Sequence, residues 1–258
     1  MGKGTESDLT EATPELLVVT PVYNEEASVG RVVREWFQGL EESTQRFVFL
    51  VIDDGSTDGT LQLLHQLREE LGERLEILSR PNRGHGQTCL QGYRIAVERG
   101  IPYVFQIDSD GQCPPQYFVK LWRKRYQSDV IYGRRIRRDD GFRRTLASHL
   151  VRLLLLLRFG TNCVDPNVPY RLMRTAAIAP VLGRVPSDFS LANIALAVLL
   201  RRARNISHAA VPIHFWERYG GEPSVPFEKF GTEALRLYRQ TKGMLNARRV
   251  GYRGNAHE

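Results

Sequence analysis

The sequence predicts an α/β domain with a mostly parallel central sheet flanked by helices on both faces. Three observations predict it. Short continuous apolar runs recur, amphipathic segments of helical spacing separate them, and the early runs end in clusters of polar and turn-forming residues. A strand buried on both faces of a parallel sheet reads as an uninterrupted apolar run, because helices cover either side.

Leu16 to Thr20 is the first run and ends at Pro21. Val29, Val32, Val33, Trp36, Phe37 and Leu40 follow at spacings that place them on one face of a helix. Phe47 to Ile52 is the second run, closed by Asp53-Asp54-Gly55-Ser56-Thr57-Asp58-Gly59. That cluster is rich in turn and capping residues, with Asp58 or Thr57 expected to cap the next helix. Leu61, Leu64, Leu67 and Leu71 form the stripe of that helix. Leu75 to Leu78 and Tyr103 to Ile107 read as further strands around a helix near Thr88 to Glu98, and Asp129 to Tyr132 as a fifth. Ligands of such sheets bind beyond the carboxyl ends of the strands. Tyr23-Asn24-Glu25, Asp53-Asp54-Gly55 and Asp108-Ser109-Asp110 all stand there.

The second half changes character. Gly141 to Phe159 has helical periodicity, with Leu146, Leu150, Leu153, Leu154 and Leu157 on one side and Arg144, Ser148 and Arg152 on the other. A basic amphipathic helix of this kind either lies in a membrane interface or packs its leucines on the sheet. Residues 1–14 and 243–258 read as flexible tails, the second one basic.

A chain of 258 residues, 42% hydrophobic and 25% charged, has the composition of one large soluble domain and excludes global disorder. Cys89, Cys113 and Cys163 form no CxxC pair, so neither a zinc site nor a disulfide framework is suggested, and a reduced, cytoplasmic setting is expected. The polar start is no signal peptide, and no stretch of about 18 apolar residues offers a membrane span. Net charge is +7, and Lys120 to Arg158 holds twelve Lys or Arg against three Asp. Such a patch points to an anionic partner: phosphates, an anionic membrane surface or nucleic acid.

The chemistry centres on Asp108-Ser109-Asp110-Gly111-Gln112. Residues i and i+2 at a strand end face the same way, and two carboxylates so placed repel each other unless a cation intervenes. Mg²⁺ or Mn²⁺, with oxygen ligands and substrate phosphates completing the shell, suits the arrangement. Such an ion would neutralise charge on a departing nucleoside diphosphate. The plainer reading is an acidic capping turn ahead of Pro114-Pro115. Asp53 could accept a hydrogen bond from a base N–H. Arg80-Pro81-Asn82-Arg83-Gly84-His85-Gly86 opens a helix, whose first N–H groups favour anions, and His85 lies where it could contact a donor.

Taken together, Pro21-Val-Tyr-Asn-Glu25, Val51-Ile-Asp-Asp-Gly-Ser-Thr-Asp-Gly-Thr60, Asn82-Arg-Gly-His-Gly86 and Asp108-Ser-Asp-Gly-Gln112 resemble the motif series of family-2 inverting glycosyltransferases. The pattern looks most like the dolichyl-phosphate mannose synthase branch. Val130 to Arg135, Asp165 to Arg171 and Val211 to Arg218 resemble that branch's downstream segments more loosely. The resemblance implies a GT-A fold over residues 15–242, with a nucleotide-sugar half at 15–135 and an acceptor half at 136–242. It implies that Pro21, Tyr23, Glu25, Asp53, Asp54, Arg83, Gly84 and Asp108 meet a GDP- or UDP-linked sugar. It implies that Asp110 and Gln112, with Asp108, hold the metal, and that Arg134, Arg135, Arg171 and Arg218 meet phosphate. Asp110, Asp188 and Arg218 are the catalytic candidates. The helix near 145–158 would match an interfacial element serving a polyprenyl phosphate.

Three departures stand out. Val168-Pro169-Tyr170 replaces the usual glycine and phenylalanine before the arginine, and no membrane-spanning tail follows. Ser187 to Asn193 lacks the acidic pair that deprotonates hydroxyl acceptors elsewhere, leaving Asp188 as the nearby base. A phosphate acceptor is already ionised at neutral pH, whereas a hydroxyl acceptor needs a base within reach. Abundant arginine therefore favours phosphate, with a hydroxyl acceptor in polysaccharide or glycolipid synthesis as the alternative. Two rivals remain. A nucleotidyltransferase would carry a basic glycine loop after the first strand, where Tyr23-Asn24-Glu25-Glu26 stands instead. A non-catalytic binder of anionic lipid or nucleic acid would have no need for both aspartates and Gln112, and no nucleic acid partner is expected.

Overall fold

The computed structural model describes residues 13–44, 46–138, 156–157, 159–160, 165–185 and 191–219. Asp188, residues 1–12 and 243–258 of the expected tails, and nearly all of the expected helix at 141–159 lie outside the described residues.

The chain alternates strand and helix through its first half: β1 (Leu16–Val22), α1 (Val29–Glu41), β2 (Phe47–Asp53), α2 (Thr60–Leu71), β3 (Leu75–Ser79), α3 (His85–Glu98) and β4 (Tyr103–Gln106). A short 3₁₀ turn (Pro115–Tyr117) leads into α4 (Phe118–Lys124). Then come β5 (Val130–Arg138), β6 (Arg171–Arg174), α5 (Thr175–Leu182), α6 (Ala192–Arg202) and β7 (His208–Phe215). The strands form one sheet in the order β3-β2-β1-β4-β6-β5-β7. β6 runs antiparallel to both neighbours, and the other described pairs are parallel. The apolar runs indicate β1 to β5; β6 and β7 carry no such run.

Every residue of β1 is buried, as a central strand covered on both faces requires. The predicted stripe of α1 supplies its buried face, with Trp36 among the largest fully buried side chains. Its ring packs on Phe105, Phe118 and Tyr170, and its Nε1 donates to the Cys113 carbonyl at 2.9 Å. That bond ties α1 to the loop after β4. On the other face α3 lies so close to β1 that a Cβ on Gly92 would stand 2.3 Å from the Val19 side chain. Gly59, one residue beyond the expected caps, is the N-cap of α2, while Asp58 Oδ1 accepts the Thr60 N–H at 3.0 Å.

With β1 to β4 parallel, the loops after these strands gather at one edge of the sheet, and the segment after β7 joins them. The topology therefore brings residues 23–28, 53–59, 79–86, 107–113 and 216–219 together.

Candidate active site

The first two loops are latched to each other. Asn24, in the left-handed region at φ 52°, receives the Thr57 N–H on Oδ1 at 2.8 Å and donates its own N–H to Ser56 Oγ at 2.9 Å. Glu25 N–H donates to Thr60 Oγ1, and Glu26 accepts the Gly59 N–H. Tyr23 stays on the surface, 49% exposed.

The paired aspartates after β2 face inward. Asp53 has no exposed surface; its oxygens accept Ser56 N–H at 3.1 Å and Ser79 Oγ–H at 2.8 Å. Asp54 accepts the N–H groups of Arg83 and Gly84 at 2.9 and 2.8 Å and pairs with buried Arg80 at 2.6 Å. Both were expected to touch the nucleotide directly. In the structure their burial and bonded oxygens make them the fasteners of the loops after β2 and β3. Gly84, also expected to meet the donor, gives its N–H to Asp54. Pro21 is likewise buried within β1, its carbonyl accepting Ser109 Oγ–H at 3.2 Å.

The loop after β4 carries the acidic pair. Asp108 Oδ1 lies 3.1 Å from His85 Nε2 and accepts Gln106 Nε2–H at 3.2 Å. Burial alone would raise its pKa, but the interaction with His85 leaves it lowered. Asp110 behaves oppositely: burial and the neighbouring Asp108 charge raise it to about 6. Its Oδ1 accepts the Gln112 N–H at 3.1 Å, and its Oδ2 accepts Arg218 Nη1–H at 3.2 Å. The other terminal nitrogen of Arg218 donates to Glu25 Oε1. Ser28 Oγ sits 2.7 Å from Glu25 Oε2 and 3.0 Å from the Ser109 carbonyl, joining the first loop to the fourth.

Arg218 comes from the segment after β7, which is strapped across the acidic loop. Trp216 N–H donates to the Gln112 carbonyl and Tyr219 N–H to that of Asp110, at 3.1 and 3.0 Å. Tyr219 covers Gly111, donates its hydroxyl to Glu35 at 2.7 Å and lies 3.9 Å beneath the Arg31 guanidinium.

The residues present fit a divalent cation. Asp110 is a buried carboxylate held close to a second one, so an added positive charge would relieve the repulsion that raises it. Gln112 donates Nε2–H to the Trp216 carbonyl at 3.2 Å, which leaves its Oε1, an oxygen of the hard type such ions prefer, unbonded among the described residues. No group of three or more His, Cys, Asp or Glu is arranged to hold an ion among the described residues. Phosphate oxygens and water would have to complete the shell.

Of the expected phosphate contacts, Arg134 is exposed and Arg135 is paired with Asp165. Arg171 was expected to meet phosphate as well. It has no exposed surface, and its guanidinium donates to the carbonyls of Val168, Pro166 and Asn193. Those bonds knit 165–171 to α6. Sequence reasoning missed the fasteners Ser28, Arg80 and Tyr219, because nothing local marks a side chain whose partner lies far along the chain.

With this geometry in view, the comparisons with known proteins are decisive for the family. The model of glycosyl transferase family 2 matches residues 17–179. The chain belongs to that family. It is 29% identical over 216 residues to an undecaprenyl-phosphate 4-deoxy-4-formamido-L-arabinose transferase of Salmonella choleraesuis, and equally to that of Salmonella paratyphi B. These alignments cover 81% of this chain and 62% of each relative, so the family-2 chain spans under two thirds of their length. Among solved structures it is similar to glucosyl-3-phosphoglycerate synthase from Mycobacterium tuberculosis with Mn²⁺, UDP and phosphoglyceric acid. That match has a TM-score of 0.65 at 18% identity, covering 90% of this chain and 78% of the other. S. aureus TarS 1-349 is similar at TM-score 0.53 and 18% identity, covering 78% and 59%. The expected family-2 membership and GT-A fold are thereby confirmed.

Proposed function

We propose that this family-2 enzyme moves a sugar from a GDP- or UDP-linked donor to a polyprenyl phosphate, with inversion at the anomeric carbon. The observation that carries the reading is the meeting of Glu25, Asp108, Asp110 and Arg218 beyond the carboxyl ends of the parallel strands. The similarity to the undecaprenyl-phosphate transferases supports the acceptor class.

Asp110 and Gln112 Oε1, with Asp108 beside them, are the residues that would hold Mg²⁺ or Mn²⁺. Bound there, the ion would stabilise the negative charge of the departing nucleoside diphosphate. Tyr23 offers its exposed ring to the base, beside Glu25. Arg83 and the start of α3 face the donor diphosphate, in loops kept in place by Asp53 and Asp54. Arg218 and Arg134, with Arg135 next to Asp165, supply guanidinium forks for phosphate. An ionised phosphate acceptor attacks without a general base; Asp188 is the candidate base should the acceptor be a hydroxyl. No helix among the described residues is long and apolar enough to cross a membrane. The proposed enzyme works from the cytoplasmic face, with its basic 120–158 region against anionic lipid.

The test is nucleoside-diphosphate release by purified protein, with either metal, across a panel of GDP- and UDP-sugars, with and without a short polyprenyl phosphate. Asp110→Ala is the control. Release that requires the lipid phosphate and is lost in the variant is expected. Release indifferent to the lipid moves the acceptor to a hydroxyl compound, and silence with every donor and metal overturns the reading.

A further inference from the structure

A polar chain runs from Asp108 into the apolar interior. Gln106, the last residue of β4, is fully buried, and so are Tyr93 of α3 and, all but 3%, Asn193 of α6. Gln106 Oε1 lies 2.5 Å from the Tyr93 hydroxyl and 3.0 Å from Asn193 Nδ2. The Tyr93 hydroxyl is also 2.9 Å from Asn193 Oδ1. The Asn193 NH₂ thus donates to one end of the Gln106 amide, beside the Tyr93 hydroxyl, whose single proton serves one oxygen at a time. A flipped amide would bring its NH₂ against that of Asn193 and leave a carbonyl oxygen facing the Asp108 carboxylate. The observed orientation is therefore the one in which Nε2–H points at Asp108 Oδ1.

Asn193 is itself placed by Arg171, which donates to its main-chain carbonyl at 3.2 Å while holding the carbonyls of Pro166 and Val168. Gln106 and Arg171 are also paired in register across β4 and β6. Phe, Leu and Leu at these three positions would fill similar space with no polar group to desolvate, and partly satisfied polar networks are costly. This network reaches the site through the Gln106 amide, which donates to Asp108.

We propose that Tyr93 and Asn193 are positioning residues that act through the Gln106 amide to aim Asp108 at the donor sugar. The proposal rests on the transferase reading of this site. It joins the two halves of the fold: Asn193 belongs to the α6 layer, and Asp108 to the loop that meets the nucleotide.

A double-mutant cycle between Asn193→Leu and Asp108→Asn tests it, read as donor KM and kcat, with Tyr93→Phe as a second variant that removes only a hydroxyl. Loss of one hydrogen bond's worth of orientation predicts a fall in kcat/KM of roughly five- to tenfold for Asn193→Leu. The double variant should be no slower than Asp108→Asn alone, because both act on the same carboxylate. Effects that multiply instead, or single variants with wild-type kinetics, overturn the proposal. A crystal structure of Asn193→Leu, or of Tyr93→Phe if the first does not fold, gives a readout independent of turnover. Gln106 and Asp108 should adopt altered rotamers; both unmoved would overturn the proposal. Wild-type protein inactive with every donor sinks the transferase reading, while the crystallographic arm still decides the positioning.

Discussion

Arg218 and Asp110 are 108 residues apart in the chain, yet Nη1 of one donates to Oδ2 of the other at 3.2 Å. The arginine thus holds a carboxylate oxygen that a divalent cation would claim, while its other arm reaches Glu25. Cation and guanidinium compete for Asp110 before a donor arrives; once phosphates are present, the same guanidinium has a better anionic partner.

Arg218→Ala should therefore separate metal binding from catalysis. Titration with Mn²⁺ alone, followed by calorimetry, should show affinity raised several-fold, since a competing positive charge is gone. Turnover in the donor assay should fall by about 10², the usual effect of losing one donor to developing charge. Unchanged Mn²⁺ affinity would show that the arginine and the ion use different parts of the carboxylate.

The raised pKa of Asp110 makes a pH prediction of definite sign. Its folded value of about 6 lies above the unfolded 3.8, so the folded protein binds the extra proton between these limits. Stability contributed by this group is present below about pH 4 and is lost as pH rises through 6. Asp110→Asn should accordingly stabilise the protein at pH 7.5, by at most about 3 kcal/mol, while removing metal-dependent activity. Metal must displace that proton, so Mn²⁺ affinity should drop steadily as pH is lowered below about 6. Thermal melts and Mn²⁺ titrations across pH 5 to 8 check both signs.

Gly111 has no room for a side chain. Its φ is +80°, and a Cβ would stand 2.3 Å from the Tyr219 ring. Gly111→Ala should push Tyr219 from its seat, carry Arg218 with it, and cost about 1–3 kcal/mol of stability along with most of the activity. Melting temperature and turnover, compared with Tyr219→Phe, measure the two losses. A Gly111→Ala protein as active as the wild type would mean that the strap need not lie where it does.

Arg171 distinguishes a buried structural cation from a phosphate ligand. Arg171→Lys cannot reach the carbonyls of Pro166, Val168 and Asn193 together, so two or more are left unpaired, at about 1–3 kcal/mol each. Chemical denaturation should register that loss. The KM for the lipid phosphate should stay within about twofold of the wild type, because a side chain with no exposed surface has no ionic contact with the acceptor to lose. A large rise in that KM at unchanged stability would return Arg171 to the acceptor site.

The sequence alone determined the alternation of β1 to β4 with α1 to α3, and thereby the edge of the sheet where Glu25, Asp108 and Asp110 gather. These features are local: an apolar run, a stripe such as Val29 to Leu40, and a turn cluster such as Asp53 to Gly59 are each encoded within a few neighbouring residues. Tertiary structure decided the rest. Only packing could turn Asp53 and Asp54 inward, bury Arg171 in the reversed strand β6, and lay Tyr219 over Gly111 with Arg218 against Asp110. A charged side chain reads the same in sequence whether it faces solvent, substrate or a distant carbonyl. Its role depends on which partner the fold brings within hydrogen-bond distance, and on how much water the fold removes from around it.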